Sequence, residues 1–229
     1  MNRPQSPEPL RIVWDGESMV AIEKPAGVLT QAPKHIDSVE RRLREQLAGR
    51  SDYVAMVHRL DRGVSGILLV AIRKRVARLL SDQFVTRKVQ KKYLAVVSGR
   101  PDPSEQVWVD YLRKIPNEAR AERCEAMDLD AKRAETHMQW VRDFPDHDCS
   151  LLRLTPVTGR MHQLRVQAAK RGHPILGDLT YGGHVNPAVH ESLPADRILL
   201  HAEAISFHDP RNGARITVEC PLEIPTFLG

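Results

Sequence analysis

The sequence predicts an α+β fold, on three observations. β-type runs pair across hairpin turns: residues 10–14 and 19–23 flank Asp15-Gly16-Glu17, and residues 197–207 and 214–220 flank Asp209-Pro210-Arg211-Asn212-Gly213. Only a few helical patterns interrupt them. A chain of 229 residues, 41% hydrophobic and 28% charged, is long enough to bury a full core as one large domain or two subdomains.

Taken in order, residues 1–9 are polar and Pro-rich, a disordered leader rather than a signal or transit peptide. Residues 10–229 carry no repeat, low-complexity tract or interdomain linker, so one domain is expected. After the first hairpin, Lys24-Pro25-Ala26-Gly27 turns the chain, and by itself it reads as a plain turn with a solvated lysine. Asp37-Ser38 caps a helix running to about Ala48, with Val39, Leu43 and Leu47 on one face and Gly49 as its stop. Strand-like residues 54–57 and 67–71 follow, and then a second helix from about Lys74 to Thr86 with the stripe Val76, Leu79, Leu80 and Phe84. Residues 91–98 are apolar on both faces, as a buried strand is, and Tyr93 within them reads by parity as core.

Residues 107–112 are strand-like, whereas 116–130 are polar and weakly patterned, an irregular excursion or flexible loop. Two strands, 133–141 and 149–154, lead to the corner Thr155-Pro156-Val157-Thr158-Gly159-Arg160 and a helix from His162 to Arg171 stopped by Gly172. Arg160 and Arg165 then sit near that helix's start, where the dipole favours anions, or are simply solvated. The loop to Asp196 shows little pattern.

Between the strand-like runs 54–57 and 67–71 lies Val57-His58-Arg59-Leu60-Asp61-Arg62-Gly63-Val64-Ser65-Gly66, too rich in Gly and charge for a strand interior. A tight loop fixed by strands on both sides is a good mount for one reactive side chain, and Asp61 is the candidate.

Charge and composition narrow the function classes. Net charge is +5, yet residues 73–92 hold eight basic side chains against one acid, Asp82. That patch suits a polyanion such as RNA, or is a solvated helix face. No apolar run reaches membrane-spanning length. Cys124, Cys149 and Cys220 are odd in number and form no CxxC pair, which fits reduced thiols and a cytoplasmic protein.

Read together, these pieces resemble one family. His58-Arg59-Leu60-Asp61-Arg62-Gly63-Val64-Ser65-Gly66 resembles the HRLDxxTSG signature of the RluA family of pseudouridine synthases. Lys24-Pro25-Ala26-Gly27 is similar to its KPxG turn, Lys91-Lys92-Tyr93 to its K-x-Y strand, and Gly159-Arg160-Met161-His162-Gln163-Leu164-Arg165 to its GRxHQLR corner. His173-Pro174-Ile175-Leu176-Gly177-Asp178, Tyr181-Gly182 and Leu199-Leu200-His201-Ala202 complete the series, over about residues 10 to 222. Val64, Glu23 and Gln167 depart from the common pattern, which puts substrate choice in question more than activity.

The resemblance implies the pseudouridine synthase fold: a long, mixed, mostly antiparallel sheet with flanking helices, two subdomains and a central cleft. Family members often carry an N-terminal S4 domain; with its first strand so near the start, this chain is expected to have none. Pseudouridine formation breaks N1–C1′ of a uridine, turns the base and joins C5 to C1′, a redox-neutral isomerisation for which no cofactor and no metal are expected. By resemblance Asp61 is the nucleophile or base. Arg165 keeps it ionised and aimed. Tyr93 stacks on the target base and can help remove the C5 proton. A paired base must be flipped out to be reached, and Arg59 matches the residue that replaces it in the stack. Arg62, Lys24 and Arg160 are expected as RNA contacts, His58 and His162 as RNA contacts or structural groups, and His201 as structural or RNA-contacting; the partner is a stem-loop of rRNA or tRNA met by a monomer.

Three rival readings fare worse. A zinc nucleobase deaminase would use His201-Ala202-Glu203 but lacks the downstream PCxxC. A glycosidase-like hydrolase wants a second carboxylate that no other motif presents. An RNA-binding protein without chemistry is disfavoured by the intact Asp61, Tyr93 and Arg165.

Overall fold

The structure, a computed structural model, describes residues 8–103, 106–183 and 196–222. The expected leader falls mostly on residues 1–7, and much of the loop before Asp196 on 184–195; both lie outside the described residues. The α+β expectation holds. The described strands form a single mixed sheet, and three α-helices pack on it.

The first hairpin is β1 (Ile12–Asp15) and β2 (Met19–Lys24). Helix α1 (Val39–Gln46) follows, its N-terminus capped by the Ser38 hydroxyl accepting from Arg41 N. Strand β3 (Ala55–Met56) and strand β4 (Ser65–Ala71) flank the Asp61 loop. Helix α2 (Lys74–Val85) leads to β5 (Gln90–Ser98), then β6 (Val107–Lys114), β7 (Ala121–Cys124), β8 (Lys132–Phe144) and β9 (Cys149–Pro156). Helix α3 (Gln163–Lys170) precedes the last hairpin, β10 (Leu200–His208) and β11 (Arg215–Glu219). The order across the sheet is β1-β2-β4-β10-β5-β9-β8-β6-β7, with β11 also on β10 and β3 also on β4.

Strand alternation divides the core between the two faces. Leu68 and Val70 of β4 join Val39 and Leu43 of α1, Leu164 and Ala168 of α3, and Leu60 and Tyr93. Ile67, Leu69 and Ala71 point the other way, onto Val76, Ala77 and Leu80 of α2. The basic residues on α2 therefore lie behind the sheet, away from Asp61. Periodicity showed which side of α2 was apolar; which face of the sheet it would cover depends on the crossover.

Among the described strands, every pairing is antiparallel but one. Strands β4 and β10 run parallel and meet at Ser65↔His201 and Gly66↔Ala202. Gly66 has φ +109, and a Cβ there would lie 2.5 Å from Ala202 N. Only glycine allows this approach. The junction is tied by Ser65 Oγ to His201 Nδ1 at 2.9 Å and by His201 Nε2 to Cys220 O at 2.8 Å. His201, expected as structural or RNA-contacting, is structural.

Two expectations fail at the β7 end of the sheet. Residues 116–130 are not an irregular excursion throughout: β7 pairs with β6 from Tyr111↔Cys124 to Lys114↔Ala121. Helix α3 buries Gln163 to Ala168 entirely rather than one small apolar face. Gln167 is fully buried, accepts from Thr136 Oγ1 at 2.7 Å and donates to Asp110 Oδ2 at 2.9 Å. Val64 is buried in the core and Glu23 pairs with Arg11. The three departures from the family pattern thus make structural contacts.

Candidate active site

Backbone bonds on all sides hold the Asp61 loop. The Thr30 hydroxyl donates to Leu60 O at 2.8 Å and accepts from Leu60 N at 3.2 Å. Gly27 N and Lys24 Nζ both donate to Arg62 O, at 2.8 and 3.1 Å, and Ile198 N donates to Gly63 O at 2.9 Å. Leu60 and Val64 anchor the loop in the core on either side of Asp61. The backbone beside the carboxylate is therefore fixed by three separate segments, as precise chemistry requires.

Across a cleft of about 470 Å³ lies α3. Arg165 Nη1 donates to Asp61 Oδ2 at 2.8 Å. The rest of its guanidinium is clamped by Asp178, which accepts from Nε at 2.6 Å and Nη2 at 2.8 Å. Asp178 is 1% exposed and the Arg165 side chain 7%. Burial works against the arginine's charge, but the bonds and charges of Asp178 and Asp61 outweigh it and raise its pKa. Tyr181 covers the guanidinium with its ring, 5.1 Å from the centroid.

His162 precedes α3 with a left-handed backbone, φ 50. Its Nε2 is 3.6 Å from Asp61 Oδ2 and its Nδ1 is 2.8 Å from the Tyr181 hydroxyl. Burial lowers its pKa, partly offset by Asp61. The same hydroxyl accepts from Ala121 N at 2.9 Å and donates to Ala121 O at 3.1 Å, which ties strand β7 to the site.

Asp61, Arg59, Arg62, His162 and Arg165 line the cleft, as expected. Arg59 is exposed. Arg62 donates to Gly27 O and pairs with Asp196. Arg160 lies outside the lining and donates to Arg133 O at 3.0 Å. Tyr93 is buried in the core, and burial together with the charge of Asp61 raises its pKa.

Two expected RNA contacts are corrected. Lys24 is fully buried; its ammonium donates to Pro25 O and Arg62 O, and burial lowers its pKa to about 7 despite Asp61 nearby. It braces the Asp61 loop from inside. The His58 ring stacks on Phe84 at 4.8 Å and accepts from Leu69 N at 2.9 Å. Burial and the charge of Lys91 lower its pKa to about 3, so it is a neutral structural group. Lys24 lies at a turn and by itself reads as solvated in sequence, but distant segments cover it.

Sequence reasoning missed Asp178, although the Gly177-Asp178 motif was in view. Its partner Arg165 is 13 residues away and no local pattern joins them. It is also the second carboxylate a hydrolase would want, yet both its oxygens accept from Arg165 and it has almost no exposure. Its place is to hold the arginine.

Comparison with known proteins agrees with this geometry. A family described as RNA pseudouridylate synthase matches residues 18–170. The chain is 37% identical over 222 residues to tRNA pseudouridine synthase C of Pasteurella multocida, covering 91% of this chain and 90% of that protein. It is 35% identical over 228 residues to the dual-specificity RNA pseudouridine synthase RluA of Escherichia coli, covering 97% of each. A solved structure, human RNA Pseudouridylate Synthase Domain Containing 1, superposes with a TM-score of 0.76 at 28% identity, covering 100% of this chain and 89% of that one. A sheet that brings HRLD and GRxHQLR residues together as an Asp61–Arg165 pair, and relatives that match it nearly end to end, place the chain in the RluA family of pseudouridine synthases, enzymes that isomerise uridine to pseudouridine.

Proposed function

We propose that this enzyme isomerises specific uridines in a structured rRNA or tRNA, acting as a monomer in the cytoplasm, with Asp61 as nucleophile or base on a flipped-out uridine. The observation that carries the reading is the Asp61–Arg165 contact of 2.8 Å in the cleft wall. One carboxylate oxygen is held by the arginine, and the fixed backbone aims the group into space wide enough for a nucleoside. Arg59, exposed two residues before Asp61, is placed to fill the gap left in the RNA stack, where a flat cation stacks well. Tyr93 supplies an aromatic face for the base from the core side. Arg59 and Arg62 give the cleft mouth cations for the RNA backbone. Recognition by shape and splayed bases suits an open cleft of this kind.

The test is Asp61→Asn. It should bind a substrate stem-loop as wild type does and form no pseudouridine. Wild-type turnover by this variant would remove Asp61 from the mechanism, and mapping pseudouridine in rRNA and tRNA from cells with and without the gene would name the target.

A further inference from the structure

Helix α2 carries a row of cations that the cleft does not use. Its inward side, Val76, Ala77 and Leu80, packs on the sheet face opposite Asp61. At about 100° per residue, Lys74, Arg75 and Arg78 fall together on the outward side, and all three are exposed. Arg87 and Lys88, also exposed, continue the row beyond the helix. Exposed Arg215 of β11 joins it there by donating to Gln90 Oε1 at 2.6 Å.

A solvated helix face carries its charges differently, and α1 shows how. There Arg41, Arg42 and Arg44 each pair with Asp37 or Glu40. Glu40 stands in the first turn and Ser38 caps the end. On α2 the first turn holds Lys74 and Arg75 and no acid, and no side chain caps it. Those two cations sit at the positive end of the helix dipole, which costs stability. Arg87 takes φ 58, a backbone position that glycine or asparagine fills more readily. Among the described residues, Lys74, Arg75, Arg78, Arg87, Lys88 and Arg215 form no ion pair, and neither does Asp82, the one acid of residues 73–92. The row is free for an external anion.

Its far end lies close to the Asp61 loop. The ring of His58, one residue before exposed Arg59, stacks on Phe84 in the last turn of α2, 4.8 Å between centroids. RNA that passes Arg59 and turns round this end of the sheet reaches Arg87 and Lys88. The outward face of α2, 12 residues long, carries the path on for about 18 Å.

We propose that the outward face of α2, with Arg87, Lys88 and Arg215, is a second RNA-binding surface that grips the phosphate backbone of the substrate RNA outside the target loop. Contacts to phosphates add affinity without reading sequence. Base flipping and chemistry stay at the cleft, while the stem is held on the reverse of the sheet. The proposal rests on the reading of a structured RNA substrate.

The test measures binding of two RNAs: a short uridine-containing stem-loop, and the same stem-loop with its stem lengthened by about ten base pairs, roughly 30 Å. The variant combines Arg75→Gln, Arg78→Gln, Arg87→Asn and Lys88→Gln; asparagine accepts the left-handed backbone at 87. All four positions are exposed and outside the cleft, so Tm should not fall. Wild type should bind the longer RNA about tenfold or more tightly than the shorter, and the variant should bind both alike. On the longer RNA the variant's slope of log affinity against log salt should be flatter by about 3, and Arg78→Gln with Lys88→Gln alone should give about half of that. A variant that keeps the wild-type preference for the longer RNA, or a wild type that shows none, would overturn the proposal and leave the cleft reading standing. So would unchanged RNA binding by a variant that no longer binds vesicles of acidic phospholipid, which would make α2 a membrane contact. Failure of wild type to bind either RNA would overturn the RNA reading itself and this surface with it.

Discussion

One guanidinium, Arg165, holds two carboxylates, and their burial predicts opposite consequences for the same substitution. In Asp178→Asn the buried arginine loses the charge facing its Nε and Nη2. An asparagine can accept one of those two bonds, and its own NH₂ is left against an N–H donor. Asp178 is 1% and the Arg165 side chain 7% exposed, so water cannot replace what is lost. Breaking such a buried pair costs about 3–5 kcal/mol. The freed guanidinium also no longer fixes Asp61, and misplacement by about 1 Å costs roughly 100-fold in rate. In Asp61→Asn the partner is 26% exposed, and Arg165 keeps both bonds to Asp178, so stability changes by less than about 1 kcal/mol while activity disappears. The assay pairs urea unfolding with single-turnover pseudouridine formation on both variants. If Asp178→Asn were as stable and as fast as wild type, or Asp61→Asn the more destabilised of the two, the clamp would not be what positions the Asp61 carboxylate.

Three further outcomes follow from the same geometry. Arg59→Ala should slow reaction on a paired stem-loop at least tenfold more than on a short RNA whose uridine is already exposed; equal losses in a rate comparison would count against base flipping. Gly66→Ala places a Cβ against the Ala202 backbone at φ +109, so the β4–β10 junction must open; a drop of several degrees in Tm is expected, and an unchanged Tm would contradict the close approach. Lys24 binds its proton less tightly in the folded chain, at about 7 against an ordinary value near 10.4, so the unfolded state holds more protons between those pH values. Stability should therefore rise from pH 7 toward pH 10 in wild type and lose that rise in Lys24→Met, as read by denaturant midpoints at each pH.

Much of this was legible in the sequence because short-range signals agreed. Hairpin turns, the Ser38 cap and the alternation in residues 91–98 each named their element to within a residue or two at most ends. The Asp61 loop stood out because glycine and charge cannot both sit in a strand. What stayed hidden depends on contacts far apart in the chain. Strand β7 has polar residues because it is the sheet's outer edge, and the Tyr181 hydroxyl, 60 residues away, helps hold it. Lys24 looks like a surface residue until the strands cover it. Asp178 stands in a motif that names no partner for it; only the fold shows that it faces Arg165. Gln167 looked like a specificity position, whereas it fills a buried polar gap between α3 and β6.

The account stands on one carboxylate, and a single-turnover reaction of Asp61→Asn on a defined stem-loop containing 5-³H-uridine tests it most directly. RNA binding at the wild-type affinity with no tritium released and no pseudouridine in the recovered RNA is the result predicted. Tritium release at the wild-type rate from that variant would contradict it.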